Sequence, residues 1–202
     1  KHQAQYWLDL VTLCGASGQA RRAHVAFDQG VLPISVHRGR RVVIHAGGGI
    51  AGAACRWDPE RYARVADELA QHYGAQVVLV GTASDDSRRV LNAMQQPAVD
   101  LIGQTTLTQL ADLMRSADLY IGADSGVTHL AAAVRTPMVV IYGPTNDAAW
   151  GPWRPGGQTV LLNSRPQCGP CSYVDHDLGE PLGCAARTCM RMITAEQVIQ
   201  AA

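Results

Sequence analysis

Residues 124–129 place a carboxylate, a hydroxyl, a glycine and an imidazole on one short stretch of chain: Asp124, Ser125, Gly126 and His129. An apolar run precedes this stretch and an apolar-periodic segment follows it, which predicts a strand, a turn and a helix. The first backbone N–H groups of a helix lack partners, and the helix dipole favours negative charge there. The stretch therefore predicts a phosphate-binding helix start, although an ordinary N-cap would also explain Asp124 and Ser125.

Short apolar runs alternate with segments of helical periodicity from residue 41 onward. The runs are typical of buried strands and cover residues 42–44, 77–80, 99–102, 119–122, 138–142 and 159–162. Helices are predicted over 5–14, from Asp58-Pro59 to Gly74, over 85–95 and 107–114, after residue 125, and from Thr194. This alternation predicts an α/β fold, a Rossmann-like parallel sheet with helices on both faces.

The loops that follow the strands are rich in small residues, and in such a sheet they gather along one edge. They occupy residues 45–49, 81–85, 103–105, 124–126 and 143–145. They contain neither the glycine spacing of a dinucleotide fingerprint nor the lysine of a P-loop. Five such loops together predict a ligand that approaches the backbone closely.

Two charged side chains fit this edge. Arg56 lies just ahead of a predicted helix start, where a guanidinium can pair bidentately with a phosphate. A solvent-exposed arginine is the alternative interpretation. Asp85 lies where a carboxylate can accept ribose hydroxyls, but it would serve equally well as a helix cap. Trp57, beside Arg56, is interpreted as a packing residue rather than a stacking platform.

Charge and hydropathy exclude two classes of partner. Lys plus Arg and Asp plus Glu each number 17, so the formal net charge is zero and gives no general attraction to nucleic acid. No apolar run approaches the ~18 residues that span a bilayer, so no transmembrane segment is expected. Nothing near the N-terminus has secretory character. We expect a cytoplasmic protein, with peripheral association with the inner membrane as an option.

Four of the six cysteines lie within the polar stretch 165–190: Cys168, Cys171, Cys184 and Cys189. In a cytosolic chain such a cluster indicates a metal more than disulfides. Four sulfur ligands suit a tetrahedral zinc or iron ion, and a fully coordinated ion has a structural role. Buried free thiols, or disulfides formed on oxidation, are the alternatives. No organic cofactor is expected.

Taken in order, these motifs resemble the C-terminal half of the heptosyltransferases, glycosyltransferase family 9. The family's Asp-Ser/Thr-Gly-x-x-His and Phe-Gly-Pro-Thr motifs are similar to residues 124–129 and 142–145, with looser matches at 45–47, 55–58, 81–85 and 189–194. The resemblance covers about residues 41–202. It implies a nucleotide-sugar donor-binding domain at 41–202, the C-terminal half of a GT-B fold, with residues 1–40 as a remnant of the N-terminal acceptor domain and linker.

The resemblance also implies substrates and roles. It implies inverting transfer from ADP-heptose, or a related nucleotide sugar, to a lipopolysaccharide, another glycan, a lipid-linked acceptor or a protein. The donor-binding residues that it implies are Gly47, Arg56, Asp85, Asp124, Ser125, Gly126, His129, Pro144 and Thr145. Cys55 replaces the family's phosphate-binding lysine, which leaves Arg56 to supply the charge. The general base is expected in the N-terminal domain, so the chain alone is expected to bind donor without transferring sugar.

Two other functions stay open at this point. A noncatalytic nucleotide-sugar binding or scaffold module would account for Cys55 and for the missing acceptor half. A metal-stapled interaction domain would use the cysteines and bind no nucleotide. An upstream α/β domain with an early aspartate would favour the transferase.

Overall fold

The chain folds around a sheet of six strands, every pair of which is parallel. The computed structural model describes residues 1–17, 25, 39–153, 158–171 and 184–202. The strands are β1 (Arg41–His45), β2 (Gln76–Val80), β3 (Ala98–Asp100), β4 (Leu119–Ala123), β5 (Met138–Tyr142) and β6 (Thr159–Asn163). Their order in the sheet is β3-β2-β1-β4-β5-β6. The predicted α/β fold with a parallel sheet is confirmed.

Eight helices and one 3₁₀ segment are present among the described residues. The helices are α1 (Gln3–Leu13), α2 (Pro59–Tyr73), α3 (Ser87–Ala93), α4 (Leu107–Arg115), α5 (Gly126–Ala133), α6 (Asp147–Trp150), α7 (Thr188–Arg191) and α8 (Ala195–Ala201), and the 3₁₀ segment is Gly49–Cys55. The 3₁₀ segment, α6 and α7 were not among the predicted elements. The helix predicted over 85–95 begins at Ser87, because Asp85 and Asp86 lie in the turn before it.

Local signals set the ends of α2. The Asp58 side chain accepts hydrogen bonds from the N–H groups of Glu60 and Arg61, and Pro59 occupies the first helical position. Gly74 ends the helix in the left-handed conformation, with φ of 63°, which a residue without a side chain adopts easily. The predicted start and end of this helix are confirmed, so the loop that carries Arg56 leads into a firmly fixed helix.

The sheet separates two apolar layers. On one face, alternate strand residues such as Ile44, Leu79 and Ile121 pack with residues of α2 and α8, including Val65 and Val198. The other layer contains alternate residues of the same strands together with residues of α4 and α5: Val43, Val78, Tyr120, Val140, Leu113, Met114, Ala131 and Ala132. Because both faces are covered, the strands read as continuous apolar runs, as expected for a buried parallel sheet.

Helix α1 confirms the helix predicted over 5–14 but has no buried residue. Tyr6 and Trp7 are each 55% exposed and Leu13 is 84% exposed, so its apolar residues face outward. The His2 ring holds the start of the helix, since Nε2 lies 2.8 Å from the Gly151 carbonyl oxygen. Residues 18–24 and 26–38 of the predicted acceptor-domain remnant and linker lie outside the described residues. No described helix is both long enough and apolar enough to cross a bilayer.

Candidate functional site

The strand order changes direction between β1 and β4, which are neighbours in the sheet although two strands separate them in the chain. In an open parallel sheet the loops on either side of such a switch point diverge and leave a crevice at the carboxyl ends of the strands. His45 ends β1, and Ala123 ends β4 directly before Asp124 and Ser125. Asp124 and Ser125 therefore lie at the position where this fold class binds ligands.

The start of α5 has the features of an anion site. Ser125 is the N-cap residue, and its side chain accepts a hydrogen bond from the Thr128 N–H at 3.4 Å. A Cβ atom added at Gly126 would meet no heavy atom within 4 Å, so open space adjoins the first helical residue. Ser125 therefore caps the helix, as the alternative interpretation of an ordinary N-cap predicted. The free space beside Gly126 leaves the helix start accessible to a ligand as well.

Asp124 connects the loop after β4 with the loop after β5. Thr145 Oγ1 donates a hydrogen bond to Asp124 Oδ2 at 2.7 Å. Burial raises the pKa of Asp124, while the Thr145 bond and the nearby His129 oppose that change. Desolvation lowers the pKa of His129, and the Asp124 carboxylate opposes it. Asp124, His129 and Thr145 thus form one electrostatically linked group, and Pro144 lies buried beside it.

Asp85 is held by the loop after β2. Its Oδ2 accepts hydrogen bonds from the Thr82 N–H at 2.7 Å and from Thr82 Oγ1 at 2.9 Å. The pKa of Asp85 lies well below its ordinary value, chiefly because of a hydrogen bond from His45. A Cβ atom at Gly47 would lie 2.6 Å from Asp85 Oδ1 and 2.5 Å from His45 Nε2, so any side chain there would have to displace one of these two groups. Gly47 and Asp85 are therefore packed together, although their loops are distant in sequence.

His45 is a polar residue of this edge to which the sequence patterns assigned no role. It is 4% exposed, with Nε2 3.4 Å from Asp85 Oδ2 and Nδ1 3.4 Å from Ser125 Oγ. The ring thereby joins the loop after β2 to the start of α5. A histidine at the end of a strand has no spacing that would reveal these two partners, since Ser125 is 80 positions away in the chain.

Arg56 faces a different part of the edge. Its Nη2 donates a hydrogen bond to the Ser84 carbonyl oxygen at 2.8 Å, and Nη1 lies 3.6 Å from Asp86 Oδ2. It also lines a cavity of about 230 Å³, whose described lining comes from α2, α7 and the start of α3 and includes neither Ser125 nor Gly126. The structure therefore records no contact between Arg56 and the start of α5, and its phosphate-binding role stays a prediction.

The residues on either side of Arg56 are buried. Cys55 is 1% exposed, and burial with the neighbouring Asp124 charge raises its pKa to about 12, so it is a neutral thiol at neutral pH. Trp57 is also 1% exposed, and its Nε1 donates a hydrogen bond to the Ile193 carbonyl oxygen at 3.0 Å. The interpretation of Trp57 as a packing residue is confirmed. Cys55 supplies none of the charge of the lysine that it replaces.

The cysteine-rich stretch docks beside the loop after β5. The Cys171 N–H donates a hydrogen bond to the Pro144 carbonyl oxygen at 2.9 Å, and Gly143 packs against Met190. Burial raises the pKa values of Cys171 and Cys189, and negative charge on Cys168 and Cys184 would raise both further.

All four cysteines are free thiols, which sets aside the disulfide alternative for this structure. Within the described ranges, no three His, Cys, Asp or Glu side chains are arranged to hold a metal ion. Residues 172–183, between the second and third cysteines of the group, lie outside those ranges.

Comparison with known proteins identifies the family. The chain matches the model of glycosyltransferase family 9 (heptosyltransferase) over residues 15–178. It therefore belongs to this family, and the resemblance found in its motifs is confirmed. Lipopolysaccharide heptosyltransferase 3 of Escherichia coli is 31% identical over 160 residues, which cover 72% of this chain and 46% of that protein. The chain spans about half the length, or less, of the curated relatives that it matches.

Solved structures share the fold. A family 9 glycosyl transferase from Veillonella parvula superposes with a TM-score of 0.74 at 21% identity, covering 100% of this chain and 59% of that one. The iron-containing dodecameric heptosyltransferase TibC of enterotoxigenic E. coli, solved in complex with ADP-D-beta-D-heptose, gives 0.62 at 20% identity, covering 83% and 45%. The chain has the α/β architecture of these heptosyltransferases.

Proposed function

We propose that this chain is the donor-binding domain of a heptosyltransferase-like glycosyltransferase. The observation that carries the proposal is the meeting of Asp124, Ser125, Gly126 and Thr145 at the switch point of the sheet, beside the open start of α5. Family membership supports a transferase over a noncatalytic binding or scaffold module. ADP-heptose is the proposed donor, since the similar TibC structure contains that nucleotide sugar.

The proposed chemistry is transfer of the sugar to an acceptor hydroxyl with inversion at the anomeric carbon. Negative charge grows on the departing nucleotide diphosphate, and the free N–H groups at the start of α5 would stabilise it. Asp124 and His129 would accept or donate hydrogen bonds at the sugar hydroxyls or phosphate oxygens. Asp85 would accept from the ribose hydroxyls. The base that deprotonates the acceptor belongs, in this proposal, to the N-terminal domain of a longer protein.

The proposed site offers the diphosphate little positive charge from side chains. Cys55 is neutral, and Arg56 is engaged with Ser84 and Asp86. The helix start and hydrogen-bond donors therefore carry more of the stabilisation in this proposal than they would beside a lysine. The acceptor is a lipopolysaccharide or other glycan, lipid-linked or protein hydroxyl, which places the enzyme in the cytoplasm with access to the inner membrane surface.

The cysteine-rich stretch completes the proposal. Four cysteines supply the type and number of donors that suit tetrahedral zinc or iron, and the Arg187 N–H already donates to Cys184 Sγ at 3.3 Å. A cation would favour the thiolate forms of Cys171 and Cys189, which burial and the charge of neighbouring thiolates disfavour. Cys168, Cys171, Cys184 and Cys189 would hold the ion, whose contribution is structural because four protein ligands leave no open position.

Calorimetric titration of the 202-residue chain with nucleotides tests the proposed function. We expect ADP and ADP-heptose to bind and UDP and UDP-glucose to bind more weakly by about tenfold or more. We also expect no sugar transfer by this chain alone. Absence of ADP binding would overturn the proposed donor site, and equal affinity for ADP and UDP would overturn the assignment of the nucleotide.

A further inference from the structure

His45 is the side chain that bridges the two halves of the proposed donor site. Its ring lies between Asp85 Oδ2, 3.4 Å from Nε2, and Ser125 Oγ, 3.4 Å from Nδ1. Both nitrogens of a buried imidazole are thus committed to residues proposed to contact the donor.

The partners of the ring define its protonation states. Asp85 is an anion at neutral pH, since its hydrogen bonds lower its pKa. A carboxylate only accepts hydrogen bonds, so Nε2 must carry the proton that faces it. In the neutral ring Nδ1 then has no proton and accepts the Ser125 hydroxyl hydrogen. In the imidazolium form Nδ1 donates to Ser125 Oγ, and the hydroxyl hydrogen is free to turn elsewhere.

The surroundings of Ser125 give that hydrogen a direction. The Ser125 oxygen already accepts from the Thr128 N–H, and Thr128 Oγ1 already donates to the Ala123 carbonyl oxygen at 2.6 Å. Thr128 Oγ1 lies 3.4 Å from Ser125 Oγ and offers the released hydroxyl hydrogen a long contact within the protein. The Gly126 backbone beside Ser125 borders the open space at the start of α5. An anion in that space is a stronger acceptor than the Thr128 hydroxyl, so the hydrogen turns to it when it is bound.

We propose that His45 is a positioning residue whose protonation turns the Ser125 hydroxyl toward a phosphate of the bound nucleotide diphosphate. This inference rests on the proposed function. A phosphate at the start of α5 adds negative charge on the Nδ1 side of the ring and favours the imidazolium form. Ligand binding and uptake of one proton by His45 are then linked, and affinity rises as pH falls.

Of the other groups around the ring, the imidazole of His129 is the one that a bound phosphate would also favour in its charged form. Asp85, from the loop after β2, is the charge in direct contact, and Asp86 behind it is paired with Arg56 from the loop after β1. Asp124, beside Ser125, is bonded to Thr145. The remaining titratable groups near the edge are the thiol of Cys55, which stays neutral, the buried phenol of Tyr120, whose pKa is raised, and the imidazole of His129 on α5.

Titration with ADP-ribose from about pH 5.5 to 8.5 tests the proposal, because its diphosphate has no proton to lose in that range. Wild-type affinity should rise toward low pH, with a slope approaching tenfold per pH unit, as for uptake of about one proton. Calorimetry in two buffers of different ionisation enthalpy measures that proton directly. In His45→Gln the affinity at low pH should fall about tenfold or more, and its pH dependence should flatten.

Two histidine variants serve as controls. His72→Asn changes an exposed histidine of α2 that pairs with Glu68, and it should leave the wild-type pH profile intact. His129→Gln removes the other imidazole near the site, so its affinity should be lower than that of the wild type, but the rise of affinity toward low pH should persist in it. A flat wild-type profile, or a wild-type slope retained in His45→Gln, would overturn the proposal while leaving the donor site standing.

If His45→Gln fails to fold, the proposal can still be tested on the wild-type chain without ligand. Nitrogen-15 NMR of the imidazole should show, at high pH, a ring protonated on Nε2 and bare at Nδ1. The opposite tautomer would rule the mechanism out. If the wild-type chain binds neither ADP nor ADP-ribose at any pH, the proposed function fails, and the role of His45 fails with it.

Discussion

Gly126 is the residue at which the proposed site can be probed with a single methyl group. It is the first residue of α5, and, apart from its chain neighbours and its own helix, no heavy atom of the described residues lies within 4 Å of an added Cβ atom. Gly126→Ala should therefore leave the melting temperature unchanged or slightly raised, because alanine is the better helix former. The methyl group would occupy the space of a phosphate oxygen, so ADP affinity should fall by about tenfold or more.

Gly39→Ala is the matched control for that substitution. Gly39 also has open space around it, and it lies ahead of β1. This variant should bind ADP like the wild type in the same calorimetric titration. Unchanged ADP affinity in Gly126→Ala would mean that the ligand does not approach the start of α5.

The site residues differ in how far the sequence predicts them. Asp124, Ser125 and Gly126 are predicted because a strand and a helix flank them at short range. The partner of Asp124, Thr145, follows from the next small-residue loop. The orientation of Arg56 cannot be predicted in this way, since Ser84 and Asp86, which hold its guanidinium, belong to a loop fixed only by tertiary packing.

At the scale of elements, the end of α2 allows a measurement of how much the left-handed conformation of its last glycine contributes to stability. Gly74 has φ of 63° and open space around it, so Gly74→Ala introduces no clash but places alanine in the left-handed region. We expect a loss of about 1 kcal/mol in the free energy of unfolding, measured by urea denaturation. Gly39→Ala, at a residue without positive φ, should change it by less than about 0.5 kcal/mol. Equal effects of the two variants would show that backbone conformation is not the cause.

The sequence predicts the strands better than the short helices, for a physical reason. The four inner strands, β2, β1, β4 and β5, are buried almost throughout and therefore leave continuous apolar runs, whereas the edge strands β3 and β6 are partly exposed but still apolar enough to be recognised. The segments α6 and α7 have four residues each and cannot form a repeating apolar stripe. The 3₁₀ segment Gly49–Cys55 contains a kink at Gly52, with φ of 60°, that no periodicity indicates.

At the scale of the whole molecule, the cysteine-rich stretch is connected to the donor edge, the edge of the sheet where the loops after the strands form the proposed donor site. The hydrogen bond between Cys171 and Pro144 joins them directly. If the four thiols hold zinc or iron, removing the ion with a chelator should lower the melting temperature by several degrees, because a ligand of the native state is lost. It should also weaken ADP binding.

Metal analysis of protein purified under reducing conditions should give about one ion per chain. Cys184→Ser should reduce that content, whereas Cys14→Ser, at an exposed cysteine that follows α1, should not. Metal content below about a tenth of an ion per chain would refute the metal proposal.

The arrangement of charge at the donor edge determines how an anionic nucleotide arrives there. Asp85 and Asp124 contribute carboxylates, Cys55 is uncharged, Arg56 lies beside Asp86, and the whole chain has a formal net charge of zero. Long-range attraction of a dianion is therefore weak, and encounter proceeds by ordinary diffusion at about 10⁵–10⁷ M⁻¹s⁻¹. Added salt should hardly slow capture, and tight retention must come from slow dissociation once the short-range hydrogen bonds have formed.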